Sequence, residues 1–205
     1  TLMIFTVAID GPAAAGKGTI SKAVAAYFGM AHLDTGLLYR AVGVKVLNGG
    51  DPLASARSIC FEDLHNSNLR VPEVAEAASK VAGIVEVRAE LLAFQKSFAR
   101  REGGAVLDGR DIGTVICPDA EAKLFVTASA KVRASRRCQE LHQNGMNISA
   151  EQVLKDLLAR DARDTDRATA PMIQAVDSIL IDTSQLTVDD AIAEAVAVVK
   201  KRISL

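Results

Sequence analysis

The chain has no tryptophan, and aromatic residues make up 4% of its 205 positions. A platform that stacks unpaired bases needs aromatic faces, so a single-strand nucleic-acid binder is not expected. An excess of one charge is also missing, with 24 Lys+Arg against 25 Asp+Glu and a formal net charge of −1. Coating a nucleic-acid polymer depends on neutralising many phosphates, which this balance does not provide. The three cysteines, Cys60, Cys117 and Cys138, are far apart and form no Cys-x-x-Cys pair, which argues against a disulfide framework and a zinc site. His32, His65 and His142 are equally scattered. No apolar run near the start approaches a membrane span: Leu2–Ile9 is interrupted by Thr6 and stops at Asp10, with no basic leader or cleavage pattern. A reducing cytoplasm, no membrane partner and a monomer are the expectations. What remains is ordinary globular composition, 49% hydrophobic and 24% charged, with a core built mostly from Ala, Val, Leu and Ile. The length suits one domain with room for a small mobile insert.

Periodicity predicts alternating strands and helices. Leu2–Ile9 reads as a buried strand turned by Asp10-Gly11-Pro12. Ile20, Val24 and Phe28 recur every four residues, the face of a helix from Lys17 to Phe28 that Gly29 stops. A second helix is expected from about Asp34-Thr35-Gly36 to Leu47, followed by the loop Asn48-Gly49-Gly50-Asp51-Pro52. Asp51–Arg101 is helical in pattern, with Val74, Ala77, Ala78 and Val81 on one face and Val87, Leu91, Leu92 and Phe98 on another. Further strands are expected at Ala105–Leu107, Ala122–Val126 and Ser178–Asp182. Lys131–Gln143 reads as an arginine-bearing helix. Ser149-Ala150-Glu151-Gln152 reads as a capping box, and Thr187 caps a last helix carrying Val188, Ile192, Ala195 and Val199. This alternation predicts an α/β fold with a mainly parallel sheet.

Gly11-Pro12-Ala13-Ala14-Ala15-Gly16-Lys17-Gly18-Thr19 is the most informative segment. It matches G-x-x-x-x-G-K, with a strand before it and a helix after it. The glycines let successive N–H groups turn inward around phosphate oxygens, and the helix N-terminus adds its positive end. Lys17 supplies a point charge to the β- and γ-phosphates and is expected to be exposed, so that removing it leaves stability unchanged. Gly18 stands where the general motif has Ser or Thr, leaving Thr19 to reach a magnesium shell. The loop by itself implies binding of a nucleoside triphosphate, not a particular reaction.

Four segments together resemble bacterial cytidylate kinases: the phosphate loop with Ile9-Asp10 before it, Asp34-Thr35-Gly36-Leu37-Leu38-Tyr39-Arg40, Asp108-Gly109-Arg110-Asp111-Ile112-Gly113-Thr114, and Arg160-Asp161-Ala162-Arg163-Asp164-Thr165-Asp166-Arg167. The second and third are far more specific than the loop. The resemblance implies a nucleoside-monophosphate kinase fold with a five-stranded parallel sheet. It implies a core of about 1–47, 103–130 and 171–205, a monophosphate-binding region of about 48–102 and a lid of about 131–170. It also implies transfer of phosphate from ATP, with Mg²⁺, to CMP and dCMP. In longer members an insert with its own small sheet precedes the region resembling Val74–Arg88; here Asn48–Pro72 has little strand character, a shortened form.

Phosphoryl transfer asks for convergent arginines, and Arg40, Arg88, Arg110, Arg133, Arg136, Arg137, Arg160, Arg163 and Arg167 lie beside these motifs. By resemblance, Arg40 and Arg110 hold the acceptor's phosphate, and Tyr39 either lines the pocket or packs in the core. Asp111 accepts from the cytosine amine, and Arg88 donates to the base with Ser79 and Thr35 assisting. That pairing needs Gly83 to break the helix between Ser79 and Arg88. On one helical stripe, Asp164 resembles the ribose-hydroxyl acceptor, and Arg160 and Arg167 the phosphate or sugar contacts. Arg136 is expected over the adenine face, with Arg133 and Arg137 on the phosphate side of a lid whose tip is Gln143-Asn144-Gly145. Asp10 and Asp108 are candidates for magnesium's waters, Asp108 the better one, while a strand-end carboxylate also serves to accept backbone N–H bonds. The alternatives are another phosphate-loop kinase with a different monophosphate or small metabolite as acceptor, and a regulatory GTPase. The N/T-K-x-D motif that a GTPase requires is missing.

Overall fold

The fold is known from a computed structural model that describes residues 4–60 and 62–204. Leu2 and Met3, where the expected first strand begins, lie outside the described residues. Five parallel strands stand in the order β2–β3–β1–β4–β5. They are β1 (Thr6–Asp10), β2 (Ala31–Asp34), β3 (Ala105–Gly109), β4 (Ala122–Thr127) and β5 (Ile179–Asp182). Every residue of β1 is buried, as a central parallel strand covered on both faces requires. Periodicity marks four of the five strands. The fifth, β2, has only Leu33 fully buried among its four residues and carries no alternation to read.

Among the described residues eight α-helices accompany the strands: α1 (Lys17–Phe28), α2 (Thr35–Leu47), α3 (Pro52–Arg57), α4 (Pro72–Val81), α5 (Val85–Ala99), α6 (Ala130–Gln143), α7 (Ala150–Asp166) and α8 (Val188–Ile203). Gly29 closes α1 in the left-handed conformation, donating to Ala25 and Ala26. Within the helical stretch expected over Asp51–Arg101, residues 82–84, where Gly83 lies, separate α4 from α5. The Asn48–Pro72 segment contains α3 and two short 3-10 turns, and no strand among its described residues. Ser149 caps α7 by accepting from Gln152 N at 3.2 Å, but the Gln152 amide reaches Asp156 instead of returning to Ser149, so half of the capping box forms.

One core layer packs Val7, Ile9, Leu124, Val126 and Ile181 of the sheet against α1 and α8, through Ile20, Val24, Ala195 and Val199. The opposite face packs Ala8, Leu33 and Leu107 against Ala99, Ile112 and Ile116. A third cluster joins α2 to α4 and α5 through Leu38, Tyr39, Val42, Ala78, Val81 and Val87. In the fourth, Ala134, Leu141, Val153 and Leu157 of the α6–α7 hairpin pack together, with Ala13 and Ala14 of the phosphate loop against them. The expected helix-face position Val188 is instead 61% exposed, at the first residue of α8. Leu92 and Phe98 are only partly buried. Among the described residues no helix is long and apolar enough to cross a membrane.

Candidate active site

The strand-to-helix turn after β1 is shaped by its glycines. Gly11 has φ +142°, and a Cβ there would fall 1.9 Å from the carbonyl oxygen of Val126 on β4, so no larger residue fits. Gly16, at φ +95°, opens α1. Lys17, expected to be exposed, is 6% exposed, and its Nζ donates to the Pro12 carbonyl at 2.7 Å. The side chain folds back over its own loop instead of reaching outward, which the residue pattern does not reveal. Burial, reinforced by the nearby Arg110 guanidinium, pulls its amine down to about 7.

Strands β1 and β2 end on Asp10 and Asp34, and Asp108 is the last residue but one of β3, so three aspartates gather at the same end of the sheet. Both oxygens of Asp10 are engaged by the main chain, the competing role expected of a strand-end carboxylate. Its Oδ1 accepts from Ile112 N at 2.8 Å and its Oδ2 from Gly113 N at 2.7 Å, so it clamps the single π turn Ile112–Ile116 onto β1. Burial nevertheless raises its carboxyl to about 6. Asp108 Oδ2 pairs with His32 Nε2 at 2.7 Å. Asp34 pairs in register with Asp108, and burial together with that like charge raises the Asp34 carboxyl. The motif that contains Asp34 assigns it no role; its position beside Asp108 depends on β2, a strand without periodicity.

A cavity of about 700 Å³ opens over these strand ends. Its wall carries Lys17, Thr19, Asp34, Arg40, Asp108 and Arg110, with Arg137 and Arg160 from the hairpin side. Arg40 Nη1 donates to Leu69 O at 2.5 Å. Arg110 Nε bonds Asp164 Oδ2 at 2.9 Å. Arg160 stands 3.8 Å from the same carboxylate, and its buried Nε has no hydrogen-bond partner among the described residues. Burial and then Arg110 lower the Arg160 guanidinium to about 9, a sign of crowded positive charge. Asp164 is the hub. Burial pushes its carboxyl up, but Arg110 and Arg160 outweigh that and hold it below its ordinary value. Its Oδ1 also accepts from Ser79 Oγ at 3.4 Å, and that hydroxyl accepts from Arg163 Nε at 3.2 Å.

The expected base-reading residues gather next to this cavity rather than on its wall. Arg88 Nη2 pairs with Asp111 Oδ2, and Arg167 Nη2 lies 3.4 Å from Asp111 Oδ1, so two guanidinium groups bracket the carboxylate. The Arg88 guanidinium carbon lies 5.5 Å from the Tyr39 ring centroid, and Tyr39 belongs to the α2 core cluster. Thr35 is buried, and its Oγ1 donates to Asp108 O at 2.8 Å, facing the main chain. The helix break at 82–84 brings Arg88 to Asp111, with Arg88 Nη1 donating to Ala82 O at 3.2 Å.

On the hairpin side, Arg133 corrects an expectation. It is 5% exposed and lines neither cavity. It braces the structure through Asp161 at 2.6 Å, Ala128 O at 2.9 Å and Ala13 O at 3.2 Å. Arg137, one turn along α6, lines the large cavity. Arg136 holds Thr183 through the hydroxyl at 2.9 Å and the carbonyl at 2.7 Å, beside a second, apolar cavity of about 140 Å³ behind the phosphate loop. Thr19 is exposed and lines both cavities.

A phosphate loop and opposed arginines around one cavity, on this sheet order, place the chain among phosphate-loop phosphotransferases. Solved structures agree on the fold: an uncharacterized protein from Eubacterium ventriosum aligns with TM-score 0.59 at 15% identity, covering 98% of this chain and 99% of that one. A gluconokinase from Sinorhizobium meliloti aligns with TM-score 0.51 at 16% identity, covering 98% and 94%. The family is narrower than the fold. The cytidylate kinase family model matches residues 7–60 and 52–201, and the chain belongs to that family. It is 60% identical over 200 residues to a cytidylate kinase of Cereibacter sphaeroides, covering 98% of this chain and 97% of the relative. It is 55% identical to one from Xanthobacter autotrophicus, covering 96% and 97%.

Proposed function

We propose that the chain transfers the terminal phosphoryl group of ATP to CMP, and to dCMP. The observation that carries this reading is the opposition across one cavity of two anion-gripping sets: the phosphate loop with Lys17, and Arg40 with Arg110 and Arg160. Two phosphates held in line between them need positioning and charge stabilisation more than covalent help. The loop amides at 11–19 and Lys17 take the donor's phosphates, Lys17 leaving Pro12 O to do so. Arg136 and the apolar cavity behind the loop take the adenine. Arg40 and Arg110 grip the acceptor's phosphate as planar forks, and Arg160, with its Nε free, bears on the charge that develops between the two phosphates. Asp164 and Ser79 face the ribose. Asp111 and Arg88 read the cytosine, Arg88 sliding off Asp111 to free an acceptor for the exocyclic amine.

The residues present suit magnesium carried by the nucleotide. Asp108 keeps one oxygen beyond its His32 pair, Thr19 offers a hydroxyl, and no group of three or more metal-type side chains is gathered among the described residues. When bound, the ion neutralises charge on the transferring phosphates. Residues 131–170 act as a lid and 48–102 as the acceptor-closing region on the core, in a cytoplasmic monomer. A coupled phosphotransfer assay across CMP, dCMP, UMP, AMP and GMP tests the reading. CMP and dCMP are expected to lead, and a different leading acceptor overturns it.

A further inference from the structure

The short connection between α3 and α4 contributes a side chain to the cavity that no motif marks. Arg70 ends a 3-10 turn, Ser67–Arg70, that Asn66 caps by accepting from Asn68 N at 2.9 Å. Two arginines pin this turn at the cavity mouth: Arg40 Nη1 on Leu69 O at 2.5 Å, and Arg137 Nη2 on Arg70 O at 3.1 Å. Leu69 itself is 2% exposed. The backbone is therefore anchored while the Arg70 side chain stays 54% exposed and lines the cavity. Its guanidinium meets, among the described residues, only Asp34 Oδ2 at 3.6 Å, too long for a hydrogen bond. The neighbouring guanidiniums already donate to protein oxygens: Arg40 to Leu69 O, and Arg110 to Asp164 and Gly109 O. Unlike Arg40 and Arg110, Arg70 has no side-chain hydrogen bond to a protein oxygen among the described residues, so its fork is open to an incoming anion in the same cavity.

We propose that Arg70 is a third guanidinium for the acceptor's phosphate, a phosphate oxygen replacing Asp34 as its partner. This rests on the reading of CMP as acceptor. It means that the shortened connecting segment completes the acceptor site rather than merely spanning it. A phosphate dianion offers more oxygens than Arg40 and Arg110 alone can saturate, and a planar fork matches it better than an ammonium does.

The test is steady-state kinetics of wild type, Arg70→Gln and Arg70→Lys with CMP and ATP varied separately, plus calorimetric binding of CMP and of cytidine. The expected result is a KM for CMP at least tenfold higher in Arg70→Gln, partial recovery in Arg70→Lys, and a KM for ATP within twofold of wild type. CMP binding should weaken in Arg70→Gln while cytidine, which lacks the phosphate, binds as in wild type. If wild type phosphorylates CMP and Arg70→Gln keeps its KM for CMP within twofold, Arg70 does not hold the phosphate and the inference falls alone. Equal weakening of CMP and cytidine also overturns it, by making Arg70 a shape-keeping residue. A wild type that leaves CMP untouched overturns the acceptor reading itself, and this inference with it.

Discussion

The two sides of the cavity are built from different materials. The donor side is main chain: a loop whose shape depends on Gly11 lying against Val126 O, on Gly16, and on Asp10 tying β1 to the π turn. The acceptor side is side chain: Arg110 on Asp164, Arg88 and Arg167 on Asp111, Arg163 on Ser79. Backbone donors face a phosphate without first giving up a partner. Guanidinium–carboxylate pairs must be exchanged for substrate contacts, so ligand binding on that side replaces one set of ion pairs with another. On the function proposed above, generic affinity for triphosphate belongs to the donor side, and selectivity and sensitivity to conditions to the acceptor side.

Removing the lysine of the phosphate loop should have the largest effect. Lys17→Met is expected to lower kcat on the order of 10³-fold while circular dichroism and the unfolding transition show an intact fold. Near-normal kcat would dissolve the distinction between the two sides. Arg110→Ala should reduce kcat/KM for CMP roughly 10- to 150-fold, from loss of about 1.5–3 kcal/mol in a charge-assisted contact, with ATP binding close to wild type. Equal losses for both substrates would mean the two sides are not separable.

The residue joining the sides has a pH signature. The carboxyl of Asp10 is raised in the fold to about 6 from an ordinary 3.8, so the folded state holds its proton through pH 4–6 while the unfolded state releases it. The contribution of Asp10 to stability accordingly falls as pH rises through that window. Denaturant unfolding of wild type and Asp10→Asn at pH 4 and 6 should show the difference moving against wild type by about 2 kcal/mol. A pH-independent difference would remove the buried-proton account.

Selectivity sharpens the comparison further. UMP places a carbonyl where CMP has its amine, opposite the Asp111 carboxylate, so CMP should be preferred. Asp111→Asn and Asp111→Ala should narrow the CMP/UMP ratio of kcat/KM by about tenfold, chiefly by harming CMP. An unchanged ratio in both would move base reading away from the Arg88–Asp111–Arg167 cluster. The smallest effect is expected at Arg136→Ala, where losing a guanidinium over the adenine should raise the KM for ATP about two- to fivefold and leave CMP untouched.

What was legible in the sequence follows the same division. The loop, the helix stop at Gly29 and the caps at Ser149 and Thr187 depend on local backbone rules, which residue types reveal directly, while the break at residues 82–84 is expected only from the pairing that the resemblance implies. The acceptor cluster was legible only by resemblance, since Arg88 and Asp111 meet across 23 positions and Ser79 and Asp164 across 85. Three features escaped. Lys17 was expected outside and lies inside, because its rotamer answers to Pro12 O rather than to solvent. Arg133 and Arg137 are both on the cavity-side helix, and Arg133 turns inward to brace the loop because Asp161, Ala128 O and Ala13 O converge on it in the fold. His32 reaches Asp108 only because β2 pairs with β3, and β2 left no periodic trace.

The Lys17 amine, held near neutrality against Pro12 O, gives nucleotide binding a thermochemical side. At pH 8 a group titrating at about 7 is mostly unprotonated, and a polyphosphate brought against it restores its proton. Binding ATP then draws a fraction of a proton from the buffer, so the observed heat scales with the buffer's ionisation enthalpy. By the same linkage, affinity weakens toward tenfold per pH unit as the solution becomes more alkaline. The loop becomes a coupling point between nucleotide occupancy and the acidity around it.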